Sequence, residues 1–247
     1  MQTALRPFWS RIFRFNWRFG LFLIIIICIP RFLLVLHANV IGSYGAIGLI
    51  MFISAVAPFL FLTKFGQREI GLVKPKKYSW LLFAFIAGLL YSFLLYYVGE
   101  KLYDNTYCNW YHYIGKSYKI PAGINQHDKA VMFSVVAVTG MLFSPIGEEF
   151  FFRGIVHASF AKSFGEKKAS IVDGSAFAIT HVAHFGLVYV NDQWKFLPGP
   201  SIIWVLSMFL AGILFFICKQ LSGSLLGAII SHAAFNVGMI YSIFYLL

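Results

Sequence analysis

Apolar residues in this chain come in long runs separated by short polar stretches, not at the helical or alternating spacing of a water-soluble domain. A membrane-spanning helix needs roughly 20 mostly apolar residues. Seven runs meet that length approximately: Phe19 to Val40, Tyr44 to Leu62, Ser79 to Val98, Ala130 to Gly147 with a helical continuation, Ala169 to Val188, Ser201 to Cys218, and Ser224 to Tyr245. The pattern therefore predicts an all-α, polytopic transmembrane helical bundle of about seven spans, with eight as the alternative. Pro30 predicts a kink in the first helix. A straight helix from Ala130 to Lys162 would be about 50 Å long, too long for one span, so a break near Pro145 and Gly147 or an exit from the membrane is required.

Composition agrees with the pattern. The 247 residues are 60% hydrophobic, 19% aromatic and 12% charged, where a soluble domain carries about a quarter charged residues. A free cytosolic enzyme is excluded. The segment Arg6 to Arg18 interleaves four arginines with Phe8, Trp9, Phe13 and Trp17, which reads as a segment lying in the membrane interface. With the following apolar run it is similar to a signal peptide. No small-x-small cleavage site follows, however, and Phe32 to Leu36 prolongs the run, so an uncleaved first helix is expected.

The net charge of +11 could mean nucleic acid, anionic lipid or membrane topology. If the N-terminus is cytoplasmic, the inner segments Arg6 to Arg18, Lys64 to Lys77, Lys162 to Lys168 and Lys219 hold 13 basic residues. The outer segments hold five: Lys101, Lys116, Lys119, Lys129 and Lys195. The excess is thus an orientation signal, N-terminus in and C-terminus out, and no nucleic-acid partner is expected. Cys28, Cys108 and Cys218 are far apart and form neither a metal motif nor a disulfide framework.

The remaining charges, Arg31, Glu148, Glu149, Arg153 and Asp173, fall within or beside the apolar runs. Each costs about 2.5 to 3.5 kcal/mol at mid-bilayer, so it must be paired, facing a wet cavity, or functional. Arg31 lies near the outer third of its helix and is expected to snorkel to the interface; Asp173 is close enough to Lys167 and Lys168 to be interfacial. Glu149 and Arg153 are i and i+4 and predict an ion pair. Glu148 points about 100° away from that stripe, which leaves it free for chemistry. His181 and His232 each lie about 20 Å from the inner basic surface, and Glu148 about 21 Å. Asn236 is one turn beyond His232 on the same face. Alone, each His or Asn reads as an interhelical hydrogen-bonding residue, and His157 and His184 as packing or supporting groups. Together, a carboxylate, two imidazoles and an amide at matched depth point to a site.

These stretches resemble the CPBP family of membrane-embedded proteases, which includes the type II CAAX prenyl endopeptidases and the bacteriocin-processing or immunity proteins once called Abi. The family pattern is Glu-Glu-x-x-x-Arg, then Phe-x-x-x-His, then His-x-x-x-Asn on successive core helices. Here it is matched by Glu148-Glu149 to Arg153, Phe177 to His181, and His232 to Asn236, the last preceded by Gly223-Ser224-Leu225. The resemblance covers roughly Val131 to Tyr241 and divides the chain into residues 1–129, with the N-terminal helices, the interfacial segment and an outer loop, and a CPBP-like catalytic core at 130–247. Asp173, one turn before Phe177, departs from the expected small or apolar residue; tuning His181 and pairing with a basic residue are the two roles open to it.

The resemblance implies an intramembrane endopeptidase in which Glu148 and His181 activate water. His232 and Asn236 then donate to the oxyanion, while Glu149 and Arg153 support the motif helix. Its implied partners are the lipid bilayer and a membrane-anchored peptide or protein substrate, either a CAAX-like tail or a bacterial leader or pheromone peptide. A bacterial inner membrane is the expected location. No cofactor is favoured; the alternative is zinc on Glu148, His181 and His232, a His2Glu set with an open water position. The rival classes are a catalytically silent scaffold or immunity protein, and a proton-coupled transporter, although no paired half-repeats are visible.

Overall fold

The computed structural model describes residues 3–247. Apart from one hairpin it is all-α. Helix α1 (Pro7–Ser10) is a single turn, and α2 (Trp17–Ile41) follows after the Asn16 side chain caps its first turn and ends on Gly42 in the left-handed region. Then come α3 (Gly45–Phe61), α4 (Lys64–Glu69), α5 (Ser79–Tyr103), α6 (Trp110–Gly115) and α7 (Gln126–Glu149). The chain continues through wide π-type turns at Phe150–Val156 into α8 (His157–Phe164). Next are α9 (Glu166–Thr180), the antiparallel pair β1 (Leu187–Val190) and β2 (Gln193–Phe196), α10 (Pro198–Ser222) and α11 (Leu225–Tyr245).

Among the described residues, five helical segments are long and apolar enough to cross a membrane: Trp17–Ile41, Ser79–Tyr103, Gln126–Phe164, Pro198–Ser222 and Leu225–Tyr245. Helix α3 is apolar but shorter. Side chains such as Leu82, Leu90, Val135, Phe143, Ile202 and Leu206 stand exposed along α5, α7 and α10. Such a surface suits lipid, not water. The segment Gln126–Phe164 changes character along its length. Its first part presents Val131, Val138 and Leu142 outward, whereas Phe151, Phe152, Ile155 and Val156 are buried. The α-helix expected to break near Pro145 runs through that residue to Glu149 and then widens at Phe150–Val156.

The expected fifth run, Ala169 to Val188, is not one continuous helix. It stops at Thr180 and tightens through His181–Ala183 into the hairpin, whose two-residue turn has Asn191 and Asp192 at φ 53° and 58°. Helix α11 lies at the centre, packed chiefly on α5 and also on α7 and α10. Close approach to α5 depends on small residues: a Cβ at Gly238 would stand 2.9 Å from that of Ser92. The expected interfacial segment is strapped to the C-terminal end of α3, with Arg6 N–H donating to the Phe61 carbonyl at 2.9 Å and Trp9 Nε1 to that of Leu60 at 3.0 Å.

Candidate active site

Glu148 occupies the last turn of α7 and is buried. Its Oε1 accepts two hydrogen bonds, from Arg31 Nη2 at 2.9 Å and from Ser144 Oγ at 2.6 Å. Oε2 has no protein hydrogen-bond partner and lies 4.0 Å from His181 Nε2. Those two atoms face each other because α9 ends just before His181, which turns its ring toward α7. His181 Nδ1 is 2.7 Å from the Phe177 carbonyl. A carbonyl can only accept, so Nδ1 carries the proton and the neutral ring presents a lone pair at Nε2. Two proton acceptors thus stand 4.0 Å apart, on residues that both line one cavity.

Glu149 points elsewhere, as the helical phase requires, and is fully buried. Its Oε1 accepts from Arg153 Nη1 at 3.2 Å, the expected i, i+4 pair, and lies 2.8 Å from His232 Nδ1. The imidazole of His232 is stacked on Phe215 with 4.6 Å between centroids. With Nδ1–H directed at a carboxylate, Nε2 is an acceptor in the neutral ring and a donor only in the imidazolium. Asn236 Nδ2 donates to the Gly140 carbonyl at 2.9 Å, which leaves its second amide hydrogen unassigned.

All four expected catalytic residues, Glu148, His181, His232 and Asn236, line a single cavity of about 310 Å³. Arg31, Ser144 and His184 share its wall, as do the phenols of Tyr44 and Tyr118. Burial raises the pKa of the Tyr118 phenol, so it is a neutral hydrogen-bonding group and not a base.

Two expectations are corrected. Arg31 does not snorkel: it is 3% exposed and bonds Glu148 across 117 positions of sequence. An unpaired buried acid offers a buried guanidinium more than the interface does. Nor is Asp173 interfacial. It is wholly buried, with Oδ2 2.6 Å from His157 Nδ1 and Oδ1 3.6 Å from Arg153 Nε. Pairing with basic residues is therefore its role, and His157 connects it onward to Glu166 through a 2.9 Å contact at Nε2.

Arg153 sits at the centre of this second cluster, its guanidinium 4.3 Å from the Phe177 ring centroid. Gly212 on α10 makes room for it: a Cβ there would stand 2.5 Å from Arg153 Nη2.

Zinc does not fit the donor set as arranged. Among the described residues no three His, Cys, Asp or Glu side chains gather closely enough to hold a metal ion. Moreover, the Arg31 guanidinium 2.9 Å from Glu148 would oppose a dication on that carboxylate.

Sequence reasoning missed Arg31 and Ser144 as partners of Glu148. Ser144 had a signal, its i, i+4 spacing to Glu148. Arg31 had only the general requirement that a buried acid find a counter-ion. Residues 130–238 match the family model described as type II CAAX prenyl endopeptidase Rce1-like. Among curated proteins and among solved structures, no significant match to the chain is found.

Proposed function

We propose that the chain, whose residues 130–238 match the Rce1-like model, is an integral-membrane endopeptidase of the type II CAAX prenyl kind with Glu148 and His181 as its water-activating pair. The observation that carries this is the 4.0 Å separation of Glu148 Oε2 and His181 Nε2, two residues that line the same cavity.

A water between these atoms gives one hydrogen bond to each, so its oxygen keeps a lone pair for the scissile carbonyl. As the C–O bond forms, the proton passes to Glu148 Oε2; on collapse of the tetrahedral intermediate Glu148 returns it to the leaving amine. The negative charge on the carbonyl oxygen is met by the second amide hydrogen of Asn236 and by His232 Nε2–H. Glu149 holds the His232 ring from behind through its 2.8 Å contact at Nδ1. Each such donor is worth roughly 3 kcal/mol in the transition state. Atoms and charge balance with no group beyond the chain and water.

In this reading residues 130–247 are the catalytic core and residues 1–129 brace it. Helices α3 and α9, added to the five longer segments, give seven spans with the N-terminus inside, in agreement with the basic excess of the inner loops. The membrane is a bacterial inner membrane.

The substrate is a membrane-anchored peptide, either a prenylated C-terminal tail or a leader peptide. Purified protein is expected to release product from an S-farnesylated peptide or from an acyl-anchored leader peptide, and His181→Ala is expected to abolish release. Equal cleavage by wild type and His181→Ala would overturn the assignment. The substrate itself is found as the uncleaved peptide that accumulates in a deletion strain.

A further inference from the structure

The matched segment begins at residue 130, yet the cation that touches the candidate base comes from α2, nearly a hundred residues before it. We propose that Arg31 is a positioning residue for Glu148, fixing which carboxylate oxygen meets the water; the proposal rests on the hydrolase reading above.

A guanidinium that merely neutralised a buried acid would be expected to take both oxygens in a fork, the strongest geometry open to such a pair. Arg31 instead touches Oε1 alone, at 2.9 Å, and Ser144 Oγ binds the same atom at 2.6 Å. The two donors come from different helices and together fix the carboxylate's rotation about its last bond. Oε2 is left without a protein partner and is turned to His181. Glu149 also has one doubly bonded and one unpartnered oxygen, but it does not line the cavity. The one-sided hold therefore has a reacting partner only at Glu148.

Arg31 is itself fixed. It is buried to 3% exposure, it follows Pro30 in α2, and its helix lies against α3, α8 and α9. Misplacing a reacting group by about 1 Å costs roughly 10²-fold in rate. The N-terminal helices would thus contribute to catalysis through a single side chain.

The test uses the full-length protein in detergent and an internally quenched S-farnesyl peptide, with wild type, Glu148→Gln, Arg31→Lys, Arg31→Met and Arg31→Ala. Arg31→Met is expected to lower kcat roughly 10²-fold with KM nearly unchanged. Arg31→Lys should keep part of the rate, and added ethylguanidinium should restore part of it to Arg31→Ala. Should Arg31→Met not fold, the lysine variant and the guanidinium rescue carry the test alone. A wild-type kcat in Arg31→Met, a change confined to KM, or a folded Arg31→Ala that ignores ethylguanidinium would each overturn the proposal. Failure of the hydrolase reading looks different: no cleavage by wild type, or full cleavage by Glu148→Gln.

Discussion

Glu149→Gln should damage stability more than Glu148→Gln, although the two residues are adjacent glutamates. Glu149 is fully buried and its Oε1 holds both Arg153, at 3.2 Å, and His232, at 2.8 Å. Without its charge, Arg153 is left with Asp173 at 3.6 Å as its remaining counter-ion. Breaking a buried pair by removing one partner costs about 3–5 kcal/mol, and for a chain of this size each kcal/mol moves Tm by about 2–4 °C. The expected loss is therefore roughly 6–20 °C.

In Glu148→Gln the amide oxygen can still accept from Ser144. Arg31 lines the cavity, where water can meet its freed N–H groups. One charge-assisted hydrogen bond is lost, about 2 kcal/mol, or roughly 4–8 °C. Thermal unfolding in detergent, followed by intrinsic tryptophan fluorescence, measures both variants. Adding Arg153→Met to Glu149→Gln should recover part of the loss, because no unpaired guanidinium remains. A Glu149→Gln protein unfolding within about 2 °C of wild type, or a Glu148→Gln protein that is the less stable of the two, would refute this reasoning.

Gly212→Ala should cost about 1–3 kcal/mol by forcing Arg153 from its place, since the added Cβ would also stand 3.2 Å from Gly174 Cα. Gly199→Ala on the same helix meets nothing within 4 Å and serves as the control; equal Tm values for the two would contradict the packing. Cleavage by purified protein should be unchanged after dialysis against a strong chelator, and activity lost on chelation and regained with zinc would reverse the assignment of water activation to Glu148 and His181 alone.

Much of the bundle was legible because a spanning helix must bury its backbone polar groups within itself and present apolar side chains to lipid. Runs such as Ser201 to Cys218 therefore fall inside helices the structure contains. The failure at Ala169 to Val188 is instructive. Hydropathy continues past His181, but the two-residue turn Asn191-Asp192, between Leu-Val-Tyr-Val and Gln-Trp-Lys-Phe, is a hairpin signal that apolar length alone does not carry.

In the site, helical periodicity correctly separated Glu148 from the Glu149–Arg153 stripe. It could say nothing of His232 turning its Nδ1 toward Glu149, or of Arg31 reaching Glu148. Both depend on how distant helices dock, and no spacing along one helix encodes that.

The central claim is that Glu148 takes the proton from the attacking water. It is tested most directly by the kcat of Glu148→Gln against wild type, on one anchored peptide, with Tm measured alongside. The account predicts a fall in kcat of roughly 10²–10⁴-fold in a protein that still unfolds cooperatively. A folded Glu148→Gln protein that turns over at the wild-type rate would contradict it.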